Sequence, residues 1–559
     1  MIGTIQHLLN FGDASLIGAC FLAFLYLIVM IIIHGKMSKN EKYKKIWNAL
    51  CFVPLIFSVI HLIFFVCGDA FKYIISYYLN IYIISVMIAL LPLLAKKKPL
   101  RIIGNIFSIM VCFALSALSL NGTKFADYTD KSMSDAYISL CGFLEENYVL
   151  SEWKKVDYEK LKADGLALIE EAEKTGDINK YYDALYMLTD SFHDGHAGVY
   201  IDYAVSTYTM DRITAFKDYG LSLITLDNGD TIAVNAEEGL EIKDGDIVTK
   251  WNGVPVDEAI ETVTLPITEG TLENERVQKT FYLAGVGGDT VDVTYINSEG
   301  KEAVAVLKKI ESTMPRAYTS FGIFTCSKNE EYDYRMLSDN IGYLRVTEET
   351  IDYFSDIISY VTGNHSTARE MFREDLRELR DQGMTKLVID IRHNAGGFDE
   401  VATALTSLFT KEKMYAFSLG VRNGKEIKSV DDRYVMADGE FSDLEILVLT
   451  NMSCGSAGDG LVLYLSRLPN VTVAGLTDPS GINQETGGEV YMPGNAIVTF
   501  PSGLILDENG NPNIDIDHTR QSRNPVDIKI PLDKEAALKI FSGEDYELEW
   551  AMDYLNKTE

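Results

Sequence analysis

Cysteine is scarce in this chain, and its spacing is irregular. The 559 residues include 7 cysteines, of which Cys141, Cys326 and Cys454 lie outside the long apolar runs of the N-terminal part. An odd number at scattered positions excludes a disulfide framework of the kind that stabilises small secreted domains. The chain also lacks a Cys-x-x-Cys pair and a His-Glu-x-x-His segment, so we expect no metal site and no cofactor.

Basic residues are few relative to acidic ones, and they are unevenly distributed. The chain has 50 Lys and Arg against 81 Asp and Glu, but residues 1–124 hold 11 of the basic residues and 3 of the acidic ones. Residues 125–559 therefore carry a net charge of −39. So negative a surface repels phosphate backbones, which excludes a nucleic-acid partner. Because single cores stop growing near roughly 250–300 residues, we expect at least two domains.

Long apolar runs are confined to the N-terminal part, where four of them are each near the ~20 residues that a helix needs to cross a bilayer. They span residues 15–34, 49–68, 73–95 and 102–120. The first and third loops carry most of the Lys and Arg, whereas the second has only Asp69 and Lys72. Residues 1–124 are thus predicted to be an all-α anchor of four transmembrane helices, with the N-terminus and the acidic part outside the cytoplasm.

Hydrophobic periodicity divides the remaining chain into three parts. Apolar positions recur at three and four residues over 132–190, with Asp177 as a candidate cap, which predicts a helical subdomain over residues 125–205. Short alternating runs broken by Asn-Gly, Asp-Gly and Gly-Gly turns predict a β-rich module over 210–312. Strand and helix patterns then alternate, and we assign residues 313–559 to an α/β core.

The β-rich module resembles a PDZ domain. The resemblance rests on a segment in which Asp244-Gly245-Asp246 leads to Trp251-Asn252-Gly253, and on an earlier loop and strand start. That earlier segment is Gly220, Leu221, Ser222 and Leu223. In PDZ domains the amides of this loop receive the carboxylate of a peptide C-terminus, and the peptide adds as a strand. A spacer module with no peptide in its groove is the alternative.

Two segments of the core share the order of strand, glycine-rich loop and helix. The strand Lys386–Ile391 leads to His393-Asn394-Ala395-Gly396-Gly397, and the strand Glu445–Thr450 leads to Ser453-Cys454-Gly455-Ser456-Ala457-Gly458-Asp459. Both strands are continuously apolar, as in strands buried on both faces. This order predicts a layered sheet with a site at the strand ends.

Ser456 is placed where a nucleophile is expected, directly after a buried strand and at the start of a helix. Its alternative role is a helix N-cap. The amides of Gly396, Gly397 and Ala457 could together stabilise an oxyanion. A serine hydroxyl also needs a base, and no Lys occurs between Ser456 and Lys529. The residues alone leave five histidines as candidates, namely His193, His196, His365, His393 and His518.

These motifs occur in the order found in the S41 serine peptidases, which include the C-terminal processing proteases and the tricorn core. The chain resembles that family from Asp194-Gly195-His196 through the PDZ-like module to the Asn-Ala-Gly-Gly and Ser-Ala-Gly-Asp loops. The resemblance covers most of residues 132–559 and implies a ClpP/crotonase-like peptidase core. The processing branch uses a lysine in a Thr-x-Gly-Lys-Gly segment, but Ser480 stands in that place here.

The tricorn-like branch instead uses serine, histidine and an acid. By resemblance His196 is the base and Asp515 the acid, with Asp in place of the more usual Glu; Asp517 and Glu485 are rivals for the acid. Asp459, one turn into the helix, is expected to interact with the helix dipole. Cys454 is expected to be a packed thiol.

The resulting prediction is a membrane-anchored, extracytoplasmic serine endopeptidase that acts on peptide or protein substrates. Topology, few cysteines and the family together indicate a multi-pass protein of a plasma membrane, in a bacterial cell envelope. The alternative function is a catalytically silent ectodomain that binds peptides or a partner. The sequence leaves open the substrate, the oligomeric state, and whether the membrane helices do more than anchor.

Overall fold

The computed structural model describes residues 41–50, 124–201, 206–266, 270–326, 332–351, 366–423, 426–485 and 487–557, with a few positions between 28 and 36. The chain divides into two compact units, Ile2–Asp127 and Tyr128–Glu559. In the first unit the described elements are helix α1, Glu41–Leu50, and strand β1, Lys124–Asp127. The four apolar runs lie almost entirely outside the described residues. Among the residues that are described, no helix has the length and apolarity needed to cross a membrane.

The second unit begins with three helices. They are α2, Met133–Asn147, α3, Tyr158–Thr175, and α4, Ile178–Asp190. Each starts at a side chain that accepts a hydrogen bond from a backbone N–H of the first turn, which satisfies one of the unpaired donors there. The capping residues are Ser132, Asp157 and the predicted Asp177, whose carboxylate accepts from the Asn179 N–H at 3.0 Å. Strand β2, Gly198–Ile201, and helix α5, Tyr208–Thr214, follow.

A separate antiparallel sheet comes next, within the region predicted to be β-rich. Its elements are β3, Ser222–Thr225, β4, Thr231–Val234, β5, Ile247–Trp251, β6, Val254–Pro255, α6, Val256–Glu261, α7, Leu272–Leu283, β7, Thr290–Ile296, and β8, Glu302–Lys308. The main strands are ordered β3-β4-β5-β7-β8. Its own core contains Tyr219, Leu223, Trp251 and Leu283, so the module buries an apolar face without help from the rest of the chain.

The remaining residues form the α/β part. In chain order its elements are α8, Arg316–Phe324, β9, Asp333–Met336, β10, Ile341–Arg345, α9, Ser366–Asp381, β11, Lys386–Asp390, α10, Asp399–Ser407, β12, Met414–Asn423, β13, Glu426–Val435, β14, Glu445–Leu449, α11, Ala457–Ser466, β15, Val471–Gly475, β16, Gly488–Met492, β17, Ala496–Phe500, β18, Leu504–Leu506, β19, Ile528–Lys529, α12, Lys534–Ser542, and α13, Tyr546–Lys557.

The central sheet of this part has the order β19-β15-β14-β11-β10-β9. Strand β9 is antiparallel to β10, whereas β10, β11, β14, β15 and β19 run parallel. Helix α9 covers one face with Phe372, Leu376 and Leu379, beside α10 and α11. Helix α13 covers the other face with Ala551 and Leu555. Burial on both faces is the physical reason why β11 and β14 are continuously apolar, as predicted.

Two features were not foreseen from the sequence. Strands β12 and β13 form a long hairpin that pairs with β18. Strand β2 pairs with β17, with Val199 opposite Val498, so residues from both ends of this unit share a sheet. The predicted border between a helical subdomain and the core is therefore crossed by strand pairing, and this pairing holds the segment just after His196 against the core.

Candidate active site

The two glycine-rich loops meet because their strands are neighbours. Strands β11 and β14 are parallel and in register, with Asp390 opposite Leu449, so both chains leave the sheet at the same edge. The Gly455 N–H donates to the Asn394 carbonyl oxygen at 3.0 Å. The His393 N–H donates to the Asn451 side-chain oxygen at 3.1 Å. The loop after β11 is thus bonded directly to the loop that carries Ser456.

Ser456 lies in a strained turn at the start of α11. Its φ is 56° and its ψ is −132°, a backbone conformation that residues with a Cβ rarely adopt. The Ser456 N–H donates to the Ile482 carbonyl oxygen at 2.8 Å, which holds the turn. The Ser456 side chain makes no capping hydrogen bond to α11. The N-cap alternative therefore does not account for the hydroxyl, which stays half-buried at the positive end of the helix dipole.

Gly396 packs directly against the Ser456 turn. A Cβ on Gly396 would lie 2.4 Å from the Ser456 Cβ and 3.0 Å from the Ala457 nitrogen, and its φ is 93°. The Gly396 N–H, however, donates to the Asn394 Oδ1 at 2.8 Å. Within the described part of the chain, the N–H groups of Gly397 and Ala457 have no recorded acceptor. Of the three amides predicted for an oxyanion, this conformation leaves these two available, and Gly396 supplies the space.

The Asp194-Gly195-His196 turn is held by Asp194. The Asp194 carboxylate accepts from the His196 N–H at 2.9 Å and from the Tyr148 hydroxyl at 2.7 Å. The His196 Nδ1 is buried and has no hydrogen-bond partner among the described residues. A Cβ on Gly195 would lie 2.8 Å from the Ile482 Cδ1, and one on Gly455 would lie 3.3 Å from the same atom. The histidine turn and the Ser456 loop therefore meet at one side chain.

Asp515 is buried beside this turn. Its carboxylate accepts from the Gln484 Nε2 at 2.5 Å and from the Asn483 N–H at 3.3 Å. Burial raises the pKa of Asp515 and the Asp194 carboxylate raises it further, whereas the Gln484 hydrogen bond, Lys154 and His196 lower it. Asp515 is thus electrostatically coupled to His196.

The two rival acids have other surroundings. The Asp517 carboxylate accepts from the Thr519 N–H at 2.8 Å and from its hydroxyl at 2.6 Å, and these bonds lower the pKa of Asp517. The Glu485 carboxylate lies beside Gly503, where an added Cβ would clash with it. The three candidate acids are thus held by different groups, and the choice of Asp515 stays a prediction.

Asp459 and Cys454 have structural roles beside the Ser456 turn. The Asp459 carboxylate accepts from the Gly481 N–H at 2.7 Å and from the Asn524 side-chain amide at 2.7 Å. Burial raises the pKa of Asp459 to about 7. These bonds connect α11 to the 481–482 segment, so Asp459 does more than interact with the helix dipole. Burial likewise raises the pKa of Cys454 well above its usual range, so this residue is a packed thiol at neutral pH.

Sequence reasoning missed Glu349, which lies under the glycine loop. The Asn394 amide donates to Glu349 Oε1 at 2.9 Å, and the Glu349 N–H donates to the Gly396 carbonyl oxygen at 2.9 Å. The side chain is fully buried, and burial raises its pKa to about 8. The available signal was an acidic pair, Glu348-Glu349, which begins three residues after the end of the apolar strand β10.

Ser480 adjoins the nucleophile loop. Its N–H donates to the Cys454 carbonyl oxygen at 2.9 Å, and its Oγ would lie 2.6 Å from a Cβ on Gly455. The residue that stands where the processing branch has lysine thus lies one residue from the Ser456 turn.

The predicted peptide-binding loop of the module is tightly packed. The Gly220 N–H donates to the Asp218 carboxylate at 2.8 Å, and Asp218 faces Arg316 at 3.4 Å. Leu221, Ser222 and Leu223 are buried, and α7 packs against β3. In this conformation the Gly220 amide is occupied by a carboxylate of the chain itself.

Comparison with known proteins gives a family match for the core. Residues 340–518 match the model of Peptidase family S41. This range includes the glycine loop, Ser456 and Asp515, whereas His196 lies outside it. No curated protein matches the chain.

Solved structures give the fold. Mature CPAF complexed with lactacystin has a TM-score of 0.51 and 14% identity, covering 76% of this chain and 98% of that chain. A putative peptidase from Parabacteroides merdae ATCC 43184 has a TM-score of 0.41 and 17% identity, covering 76% and 97%. The photosystem II D1 C-terminal processing protease has a TM-score of 0.31 and 17% identity, covering 73% and 94%. The chain thus shares the fold of CPAF, and the two other likenesses are too distant to argue from.

The close packing of Gly396 against the Ser456 turn predicts what an added methyl group at Gly396 would do. We expect Gly396→Ala to reduce labelling by a fluorophosphonate, a probe of reactive serines, by roughly 100-fold or more, because the new Cβ displaces the Ser456 turn. The measurement is the labelling rate of the full chain. Gly142→Ala is the matched control, since a Cβ there meets no atom within 4 Å. Equal rates for Gly396→Ala and wild type would contradict the assignment.

The buried Glu349 predicts a pH dependence of stability. Because the pKa of Glu349 is about 8 in the folded chain, the folded state keeps a proton that the unfolded state releases above its ordinary value of 4.5. Its contribution is present below that value and is lost as pH rises to about 8, by on the order of a few kcal/mol. We expect Glu349→Gln to flatten this loss, measured as the thermal midpoint between about pH 5 and pH 8. Glu348→Gln, at the exposed neighbouring residue, is the control. Parallel curves of thermal midpoint against pH for Glu349→Gln and wild type would refute the prediction.

Proposed function

We infer that this chain, a serine peptidase of the S41 type, hydrolyses peptide bonds with Ser456 as nucleophile, His196 as general base and Asp515 as the acid that orients it. The observation that carries the proposal is the strained Ser456 turn, whose hydroxyl caps no helix and whose neighbours are Gly396 and the free Ala457 amide. Strain at one residue persists only where the surrounding structure imposes it, and such residues cluster at active sites.

The reaction is acyl transfer. The Ser456 Oγ attacks the carbonyl carbon of the peptide bond while His196 takes the hydroxyl proton. Negative charge develops on the carbonyl oxygen, and the N–H groups of Gly397 and Ala457 are placed to stabilise it. His196 then gives the proton to the departing amine, and water releases the acyl group by the same path.

The side chain of Asp515 is one methylene shorter than that of the usual Glu, so neighbouring groups must hold its carboxylate in position. Gln484 and the Asn483 N–H hold the carboxylate from one side, and the Trp153 indole N–H donates to the Asp515 carbonyl oxygen at 2.9 Å from another. The His196 Nδ1, which has no partner among the described residues, is the ring nitrogen that would donate a hydrogen bond to an orienting carboxylate. A carboxylate there favours the imidazolium that forms during attack.

We also propose that the peptidase is anchored in a membrane and faces away from the cytoplasm. The support is in the sequence, where four apolar runs precede the acidic part and Lys and Arg gather in alternate loops. A domain with a net charge of −39 would also stay soluble beside a like-charged membrane surface.

Reaction of Ser456 with a fluorophosphonate probe tests the activity. We expect labelling of the wild-type chain, no labelling of Ser456→Ala, and a fall of roughly 10²–10⁴-fold in His196→Gln, because the proton acceptor is lost. Ser453→Ala is the matched control on the same loop and should label at close to the wild-type rate. Labelling of Ser456→Ala at the wild-type rate would exclude Ser456 as nucleophile. A folded wild-type chain that does not label would favour the silent binding module.

Reporter fusions test the location. Alkaline phosphatase, which is active only outside the cytoplasm, should be active when fused after Glu559 and inactive when fused in the first or third loop, at residues 36–45 or 96–101. The measurement is phosphatase activity of intact bacterial cells, normalised to fusion protein. The reverse pattern would place the peptidase in the cytoplasm and overturn the topology.

A further inference from the structure

Three consecutive residues after α2 connect the histidine turn to the acid segment. The Trp153 Nε1 donates to the Asp515 carbonyl oxygen at 2.9 Å, and the Lys154 Nζ donates to the His193 carbonyl oxygen at 3.0 Å. The Lys155 Nζ lies 2.8 Å from the His518 Nε2. A single turn, residues 153–155, therefore contacts both the segment that precedes His196 and the segment that contains Asp515.

Two carboxylates in this region repel each other. Asp194 and Asp515 are 3% and 0% exposed, so solvent screens their charges only weakly. Asp194 raises the pKa of Asp515 in addition to burial. Burial and this neighbouring charge both favour the protonated form of Asp515, and a protonated Asp515 could not stabilise an imidazolium.

Lys154 is a lysine on which the charges of both carboxylates act. Burial lowers its pKa, whereas Asp194 and Asp515 raise it. Its ammonium is held by the His193 carbonyl oxygen, which belongs to the residue before Asp194. A cation placed there lowers the cost of keeping Asp515 ionised.

We propose that Lys154 is a positioning residue that keeps Asp515 ionised beside Asp194, so that Asp515 can orient His196. The proposal rests on the proposed function. The lysine acts through charge, on the acid, and does not take the serine proton. The sequence offered no sign of this role, because Lys154 precedes Ser456 by about three hundred residues and lies in a segment predicted only to be helical.

Several groups face this pair of carboxylates, and the charge balance includes all of them. Tyr148 donates to Asp194, and Gln484 and the Asn483 N–H donate to Asp515. Arg523 donates to the Asp515 carbonyl oxygen at 3.4 Å rather than to its carboxylate. Other charged or titratable neighbours are His193, His196, Asp459, Asp517 and Arg520.

The pH profile of Lys154 variants tests the proposal. In Lys154→Met the acidic limb of the labelling rate of the full chain should move up by about one pH unit, because loss of the cation favours protonated Asp515. The rate should then be about tenfold lower below both midpoints and unchanged on the alkaline plateau. Lys154→Arg keeps the charge and should restore the wild-type midpoint. Lys155→Met is the matched control, since it removes the neighbouring, exposed lysine.

The outcomes distinguish failure of this proposal from failure of the proposed function. A Lys154→Met profile that superimposes on wild type would overturn the proposal, and so would a Lys154→Arg variant that is inactive at every pH, since that result would make the lysine a proton acceptor. If Lys154→Met does not fold by circular dichroism, Asp194→Asn replaces it and must move the limb to lower pH; an unmoved limb overturns the proposal. Failure of the wild type to label, or labelling of Ser456→Ala, would instead count against the proposed function.

Discussion

The parallel, in-register pairing of β11 with β14 is the constraint on which the site depends. It places the ends of two chain segments separated by about sixty residues side by side, so that the glycine loop and the Ser456 turn can bond to each other. Helices on both faces keep these strands buried and leave their ends as the exposed edge where irregular backbone is tolerated. The Gly396 space and the Ser456 strain are consequences of this adjacency.

Buried acids are stabilised in two different ways in this chain. Asp390, the last residue of β11, faces Arg345 at 2.7 Å and Arg392 at 2.7 Å. Although burial favours its protonated form, these cations hold the pKa of Asp390 well below its usual range. The acids around the site, Glu349, Asp459 and Asp515, are bonded mainly by amides and backbone N–H groups. Burial raises the pKa of each of these three. The scaffold carboxylate is therefore permanently charged, whereas the site is sensitive to nearby charge.

Much of the fold was readable from the sequence. Continuous apolar strands followed by glycine-rich loops and helices predicted β11, β14, α10 and α11, because burial on both faces leaves a direct compositional signal. The long β12–β13 hairpin was not predicted, although Asn423-Gly424 is a hairpin turn signal in the sequence, and the pairing of β2 with β17 was not predicted either. The β2–β17 pairing joins segments about three hundred residues apart, and local patterns carry no information about it.

The sequence by itself determined the kinds of groups at the site: a serine at a strand-to-helix turn, a diglycine loop, and the Asp-Gly-His turn. These follow from local backbone requirements, namely a small residue where chains approach closely and a turn where a side chain must be exposed. Only the tertiary structure decided that Gly396 uses its amide on Asn394, that Asp515 is buried where the charge of His196 acts on it, and that the charges of Asp194 and Asp515 act on Lys154. Hydrogen bonds and charge interactions depend on distance in space, and that distance is set by how the sheets and helices pack.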